Sequence, residues 1–277
     1  MRKFFIQAGN GLRYNLQNRN KCFLNEPSGL GFAKDNTYIS VGNYFIVDDS
    51  KNEQKTISGI LLFNNDWYAN YKEFITFIKS YSDYKLVYKY DDNDYYIDID
   101  IISVEKGDTA GNKYLECNIE MQSKSLWYRV NSITRTIEQI AELPQWDWNF
   151  DLRFNDVTLD KIDINNTGQC ETSFEFELNG VIDGITLQIF KDGIVINEIT
   201  FDIELTSSDS LIYSNKDNDI YLYKKTGNTL TNVFDCLDLE KNNFAKLPIG
   251  ESSIKFTSEL GNIASVTLTY FEEFEAV

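Results

Sequence analysis

Residues 95–104 read YYIDIDIISV and residues 114–122 read YLECNIEMQ, and these two stretches give the clearest indication of the fold. In both, apolar and polar residues alternate with a period of two, which is typical of β-strands with one buried face. The polar loop GDTAGN at residues 107–112 separates them. The pattern predicts a long antiparallel hairpin, in which Tyr95–Val104 pairs with a returning strand that runs from Tyr114 to Trp127.

The predicted hairpin also supplies the candidate contact residues of the molecule. A hairpin of this length can extend beyond its own domain and offer edges for pairing with another subunit. We therefore expect inter-subunit contacts at six positions: Tyr95, Ile97, Ile99, Ile119, Met121 and Trp127.

One segment has a clear helical pattern. Its apolar side chains fall on one face at helical spacing, and they are Trp67, Tyr71, Phe74, Ile75 and Ile78. Asn65 or Asp66 can cap the N-terminus. The sequence thus predicts one helix that packs on a sheet through this stripe.

The remaining patterned segments predict further strands. In the first half they are residues 37–41 and 43–47, separated by Gly42, and residues 56–63. In the second half they are residues 172–178, 186–190, 194–203, 211–213, 220–223, 254–257 and 265–275. Asp192-Gly193 between two apolar strands is a strong hairpin signal. The chain is therefore predicted to be mainly β, and its second half to form an antiparallel β-sandwich of roughly 100–125 residues.

The domain boundary is placed near the sequence PQWDW at residues 144–148, where the strand pattern has weakened. The predicted domains are residues 1–145 and 146–277. Trp146 and Trp148 are interpreted as packing residues, with sugar stacking as the alternative.

Composition excludes several classes of function. The 277 residues carry a formal net charge of −17, which disfavours nucleic-acid binding because that binding depends on Lys and Arg. The absence of histidine excludes Ser-His-Asp triads and His-ligated zinc. Four widely spaced cysteines, without a C-x-x-C motif, are expected to be free thiols of a protein assembled in a reducing cytoplasm, although disulfides stay open.

The acidic residues do not define a reactive site. The run Asp91-Asp92-Asn93-Asp94, with Asp98 and Asp100, lacks the frame of an EF-hand loop, so a solvated strand face is favoured over a cation site. No carboxylate pair can be nominated for glycoside hydrolysis. We expect no catalytic, cofactor or metal site.

No segment suits export or membrane insertion. The N-terminus MRKFFIQ is not followed by an apolar run typical of a signal peptide. No stretch approaches the roughly 20 apolar residues of a membrane helix.

Two ordered sets of motifs resemble the distal tail protein family of long-tailed bacteriophages. The first contains spaced aromatic residues at 68–78, then Leu86-Val87-Tyr88, the long hairpin, and Ser125-Leu126-Trp127-Tyr128. The second is the "F-x-x-L-P-x-G" turn at residues 244–250, which leads into a strand through Phe256. In that strand, Ser252-Ser253 replaces the asparagine that is usual in the family.

The resemblance implies a fold, an assembly and a location. The implied fold has an N-terminal β-sandwich-like domain with one helix and a long hairpin, followed by a C-terminal galectin-like sandwich. Six copies would form a ring in the virion that joins the tail tube to the tail tip and to receptor-binding proteins. Such a protein is structural and has no cofactor.

Two other hypotheses stay open. One is a carbohydrate-binding β-sandwich used in recognition of the host surface, which the strand pattern and exposed aromatic residues would allow. The other is a glycan-degrading enzyme. A sandwich fold by itself supports neither, because function depends on sites rather than on folds.

Overall fold

The computed structural model describes residues 2–110, 114–136 and 161–277. It is mainly β, with large antiparallel sheets and one α-helix in these ranges. The chain divides into two compact units: unit 1 comprises residues 1–129 and 273–277, and unit 2 comprises residues 130–272. The predicted boundary between residues 145 and 146 lies outside the described residues, as do Trp146 and Trp148.

The elements of residues 3–136 are β1 (Lys3–Ala8), β2 (Arg13–Asn15), β3 (Gln17–Asn18), β4 (Cys22–Ser28), β5 (Lys34–Val41), β6 (Tyr44–Asn52), β7 (Thr56–Asn64), α1 (Trp67–Lys79), β8 (Tyr84–Tyr90), β9 (Asn93–Ala110), β10 (Tyr114–Ser123) and β11 (Trp127–Thr136). Those of residues 162–274 are β12 (Ile162–Asn166), β13 (Phe174–Lys191), β14 (Ile194–Leu205), β15 (Asp209–Lys216), β16 (Asp219–Thr226), β17 (Thr229–Asn232), a 3-10 turn (Phe234–Cys236) and β18 (Gly250–Phe274).

The predicted hairpin is present as β9 and β10, which pair antiparallel from Tyr114 opposite Ala110 to Ser123 opposite Ile99. The returning strand ends at Ser123, four residues before the predicted Trp127. The regular pairing is interrupted there: the Ser123 amide bonds to the Lys55 carbonyl, the Lys124 amide still bonds to the Asp98 carbonyl of β9, and pairing with β9 resumes in the next strand, with Tyr128 opposite Tyr96. Trp127 begins a separate strand, β11.

The other edge of β10 is also occupied. β10 pairs along its length with β7, from Tyr114 opposite Asn64 to Gln122 opposite Thr56, and β7 pairs in turn with β4. β10 is therefore an interior strand of the unit 1 sheet, and its backbone is not available to another subunit.

The predicted helix covers this sheet. α1 begins after Asp66, whose carboxylate accepts a hydrogen bond from the Ala69 amide at 3.4 Å. Phe74 is fully buried and packs against Phe63 of β7 and Tyr14, with ring centroids 5.7 and 5.0 Å apart. The apolar stripe of the helix thus closes the core of unit 1, as the sequence predicts.

Unit 2 is built around two long strands. β13 pairs with β15 through its first half, with β14 through its second half, and with β18 along both halves. The sequence predicts a break in this region, but β13 is continuous, since bulges near Gly180 and Gly184 absorb the irregular residues. The predicted turn at Asp192-Gly193 is confirmed, with φ of 51° and 77°.

Candidate functional site: an exposed hairpin arm

The six predicted contact residues do not form a surface. Five of them belong to the core of unit 1 and have at most 1% of their surface exposed: Ile97, Ile99, Ile119, Met121 and Trp127. Such side chains have no surface to offer a second subunit, so we no longer propose these five residues as inter-subunit contacts. Tyr95 is half-buried, with its ring edge-on to Phe274 at 5.3 Å, and remains a predicted contact.

The exposed apolar residues of unit 1 lie elsewhere. β5 and β6 pair with each other as a separate two-stranded sheet. We call this hairpin, residues 34–52, the arm. Every residue of β6 is exposed, and so are seven of the eight residues of β5.

The register of the arm shows that both of its faces are apolar near the turn. Val41 lies opposite Tyr44 and Ile39 opposite Ile46, which places these four side chains on one face. The alternate pairs, Tyr38 with Val47 and Ser40 with Phe45, lie on the other face. The outer part of the arm therefore has no polar face to turn toward water.

A two-residue turn holds the two strands in this register. Gly42 is the first turn residue and has φ of +62°, which suits the first central position of a type II′ turn. Glycine adopts this conformation without the steric cost that a side chain would impose. The turn thereby aligns Val41 with Tyr44 and sets the register as far as Tyr38 opposite Val47, beyond which the register shifts by one residue.

The base of the arm is polar and is tied to unit 1. Lys34 approaches the Glu275 carboxylate at 3.9 Å, and the Glu53 amide donates to the Ala33 carbonyl at 3.4 Å. Just beyond the arm, the buried Lys55 donates to the backbone carbonyl of Glu275. Burial lowers the pKa of Lys55, and the charge of Glu275 opposes that shift. The arm is thus anchored at its base, whereas its apolar end is uncovered.

The exposed apolar surface of the arm is large enough to be an interface. Tyr44 and Phe45 are 78% and 76% exposed, and Tyr38 is more than half exposed. Since an aromatic side chain can bury about 150–250 Å², these three rings alone could remove on the order of 400 Å² from water. This surface is divided between the two faces of the arm, with Tyr44 on one face and Tyr38 and Phe45 on the other, and exposed apolar surface of this extent on soluble proteins commonly marks interaction sites.

The sequence predicts the two strands of this arm, and it also contains a pattern that bears on their burial. Residues 37–47 read TYISVGNYFIV, so two strands with apolar residues on both faces flank a short turn. That pattern normally predicts strands buried on both faces. The pattern does not show whether these faces are buried by the same chain or by another one, because that depends on the tertiary structure.

The acidic face of β9 is a network of ion pairs. Asp94 binds Arg13 at 2.8 Å and Lys89 at 3.4 Å, and Asp100 binds Lys124 at 3.0 Å. Tyr128 donates to the Asp98 carboxylate at 3.1 Å, and burial together with that carboxylate raises the pKa of Tyr128. These carboxylates are bound by different protein side chains along the strand, and the side chains of Asp94 and Asp98 are 20% and 21% exposed, so this face is ion-paired and half-buried rather than fully solvated.

The part of the chain that the structure describes offers no metal site, since no three His, Cys, Asp or Glu side chains come together there. It also contains no helix with the length and apolar character needed to cross a membrane. The four cysteines are free thiols, and burial raises the pKa of Cys22 and Cys117 in the unit 1 core.

An open depression of about 270 Å³ on the unit 1 sheet has acidic residues in its lining. Its lining includes Glu26, Glu105 and Glu120. The depression is shallow and lies on a sheet surface, so it does not enclose a sugar ring between an acid and a base as glycoside hydrolysis requires.

Comparisons with known proteins agree with this architecture. Residues 3–124 match the family model described as distal tail protein, N-terminal domain. A chain of the phage P2 baseplate, in its activated conformation with Ca, is similar at 18% identity, with a TM-score of 0.68 and 100% of both chains covered. No curated protein matches the sequence.

A second solved structure has a similar fold. The SPP1 Dit protein, described as a paradigm of the hub adsorption apparatus in Gram-positive infecting phages, has 11% identity and a TM-score of 0.66, with 98% of this chain and 99% of that chain covered. The family match covers most of unit 1, and the similarity of fold continues through unit 2. Residues 3–124 therefore form the N-terminal domain of the distal tail protein family, a family of structural phage tail proteins rather than enzymes, and the fold of the whole chain is similar to that of phage baseplate and hub proteins.

Proposed function

We propose that identical copies of the chain assemble into a ring in which the arm of each copy docks on the next. The observation that carries this proposal is the exposure of apolar side chains on both faces of the arm. An isolated two-stranded hairpin is marginally stable in water, so a hairpin of this composition needs a cover. A contact between two different surfaces of identical copies repeats head to tail until the ring closes.

Within the tail, the proposed ring has six copies and joins the tail tube to the tail tip and to receptor-binding proteins. The similarity of fold to a chain of a phage baseplate and to a protein of a hub adsorption apparatus supports this placement. In such a ring the net charge of −17 would disfavour contact with passing DNA, since phosphates are repelled by carboxylates.

The proposal assigns a separate role or fold to each of the two predicted domains. We propose that the N-terminal domain, residues 1–145 in the sequence-based assignment, is sandwich-like and forms the ring. The C-terminal domain, residues 146–277, would be a galectin-like sandwich, which is consistent with β13 and β18 each pairing within more than one group of strands. Assembly in the host cytoplasm would keep the buried thiols reduced.

The proposal is tested by measuring the mass of the purified full chain by light scattering over a range of concentrations. Wild-type protein should reach a mass that is a multiple of 32.1 kDa. The double substitution Phe45→Ser with Ile46→Ser should shift the assembly toward the monomer, because it removes apolar surface from both faces of the arm.

A matched control replaces two adjacent exposed apolar residues of unit 2, Ile194→Ser with Val195→Ser, and should assemble like wild type. Wild-type protein that stays monomeric at high concentration would contradict the proposal. So would an arm variant that assembles as well as the control.

A further inference from the structure

The outer face of the unit 2 sheet is a regular lattice of polar side chains with two tyrosines at one end. Strand neighbours in this sheet run in the order β17, β16, β15, β13, β18 and β11. Their pairings align three cross-strand rows on the face opposite the core. The rows are Tyr221–Ser214–Glu175–Thr269, Tyr223–Ile212–Glu177–Thr267, and Lys225–Ser210–Asn179–Ser265.

The two tyrosines form a stacked pair in which each ring can offer only its outer face to a ligand. The rings of Tyr221 and Tyr223 stack with centroids 5.5 Å apart and an interplanar angle of 20°. Both side chains are partly exposed rather than buried. Burial, together with the charges of Glu175 and Asp219, raises the pKa of Tyr221 to about 12, so its phenol remains a hydrogen-bond donor at neutral pH.

Carboxylates on the face are already held by hydroxyl groups and a lysine. Glu177 accepts hydrogen bonds from Ser210 at 3.2 Å and from Lys225 at 3.4 Å, yet 41% of its side chain is exposed. Ser214 donates to Glu175 at 3.4 Å. Such fixed carboxylates are oriented hydrogen-bond acceptors, which is what a ligand rich in hydroxyl groups needs.

The hydroxyl and amide groups continue across the sheet. Asn179 donates to Ser265 at 3.3 Å, and the hydroxyls of Thr134 and Thr267 lie 3.3 Å apart. With strands about 4.8 Å apart, the face from β16 to β11 spans about 19 Å. This extent suits a chain of sugar units better than a single small molecule.

The net charge of this face limits the kind of polymer that could bind to it. Glu175 and Glu177 outnumber Lys225, so the lattice carries a net negative charge. A polyanion such as nucleic acid or a phosphate-rich wall polymer would be repelled by both carboxylates. A neutral polymer with many hydroxyl groups matches the donors and acceptors and can also stack on the tyrosines.

We propose that this face of unit 2, from Tyr221 and Tyr223 across Glu175 and Glu177 to Asn179, binds a neutral polysaccharide. Binding would add a contact with the host surface to the structural role of the chain. Tyr223 would make the apolar contact by stacking on a sugar ring, and Glu177 would make the polar contact by accepting hydrogen bonds from sugar hydroxyl groups.

The test uses the full chain and titration calorimetry with neutral tetrasaccharides built from glucose, galactose, rhamnose or N-acetylglucosamine, and with a poly(glycerol phosphate) polymer as the charged comparison. We expect saturable binding to at least one neutral probe and no binding to the phosphate polymer. Tyr223→Ala should weaken binding about tenfold, since it removes the stacking surface, whereas Tyr223→Phe should bind within about threefold of wild type.

Two further variants keep the test decisive. Glu177→Gln retains the shape of the side chain and should weaken binding about tenfold by removing charge-assisted hydrogen bonds. Tyr90→Ala removes an exposed tyrosine from unit 1 and should bind like wild type. Circular dichroism verifies that each variant is folded.

Several results would overturn the proposal. They are the absence of binding to every neutral probe, binding to the phosphate polymer alone, and unchanged binding by both Tyr223→Ala and Glu177→Gln. An equal loss of binding in Tyr90→Ala would place the site elsewhere and would also overturn it.

Discussion

Ile39 and Ile46 lie directly opposite each other in the arm, and they are 50% and 54% exposed. Cross-strand aliphatic pairs of this kind are usually covered by a second layer. Here the pair lies in a sheet of two strands, with Tyr38 and Phe45 on the reverse face. The arm thus has the apolar side chains of a buried hairpin, but these side chains are exposed.

Hydrogen exchange should show whether the arm is exposed in the monomer and covered in the assembly. We expect the amides of β5 and β6 to exchange quickly in protein kept monomeric by the Phe45→Ser and Ile46→Ser substitutions, because a lone hairpin opens readily. The same amides should be protected in assembled wild-type protein. The amides of β10 provide the control, since pairing on both edges should protect them in either state. Equal protection of the arm in both states would argue against docking.

The two faces of β9 should respond differently to truncation. Ile97 is fully buried, and Ile97→Ala should lower the free energy of unfolding by about 2–4 kcal/mol through lost burial and the cavity left behind. Ile102 is 54% exposed on the same strand, and Ile102→Ala should change that free energy by about 0.5 kcal/mol or less. Urea denaturation of both variants measures the difference. Similar values would mean that the assigned core of unit 1 is incorrect.

The glycine that precedes the arm should tolerate no side chain. Gly29 has φ of +79°, and a methyl group there would collide with the backbone carbonyl of Thr56. Positive φ and overpacking together should make Gly29→Ala less stable by about 2–4 kcal/mol. Gly31 has open space around it, so Gly31→Ala should be within about 0.5 kcal/mol of wild type. Thermal melts compare the two, and a stable Gly29→Ala variant would refute the backbone geometry described for this turn.

Acid should weaken unit 2 through Asp209. Its carboxylate accepts a hydrogen bond from Thr226 at 2.6 Å and two from Thr206, and it pairs with Lys224 at 3.2 Å. These contacts, the one to Thr226 first, hold the pKa of Asp209 well below its ordinary value. Because the folded pKa lies below the unfolded value of about 3.9, the stabilisation is present above that pH and is lost as the pH falls toward the folded pKa.

The variant Asp209→Asn isolates this contribution. The difference in urea midpoint between wild type and the variant should be largest near neutral pH and should shrink as the pH drops below about 4. Asp192→Asn, which removes an exposed carboxylate from the β13–β14 turn, controls for the loss of charge. A difference that does not change between neutral and acidic pH would contradict the assignment.

Local patterns predict much of the fold because they reflect local physics. The alternation in residues 95–104 marks a half-buried strand, the spacing of Trp67, Tyr71 and Phe74 marks a helix, and Asp192-Gly193 marks a hairpin turn; all three features are present. Boundaries are less predictable. β13 passes through Gly184 without a break because a bulge can keep a strand paired.

The site is harder to predict for a physical reason. An apolar face, such as that of Ile97 and Ile99, indicates burial but not which partner provides the cover. In this chain, the unit's own core covers that face, whereas the apolar faces of the arm are left exposed. In both cases the pattern of apolar residues predicts burial, so the distinction depends on tertiary structure.

Docking of the arm on a neighbouring copy can be seen by electron microscopy of the assembled chain. We expect closed rings in which Tyr44 and Phe45 of each copy are buried against the neighbouring copy. Rings with the arm projecting freely into solvent, or a field of single particles of one chain each, would contradict it.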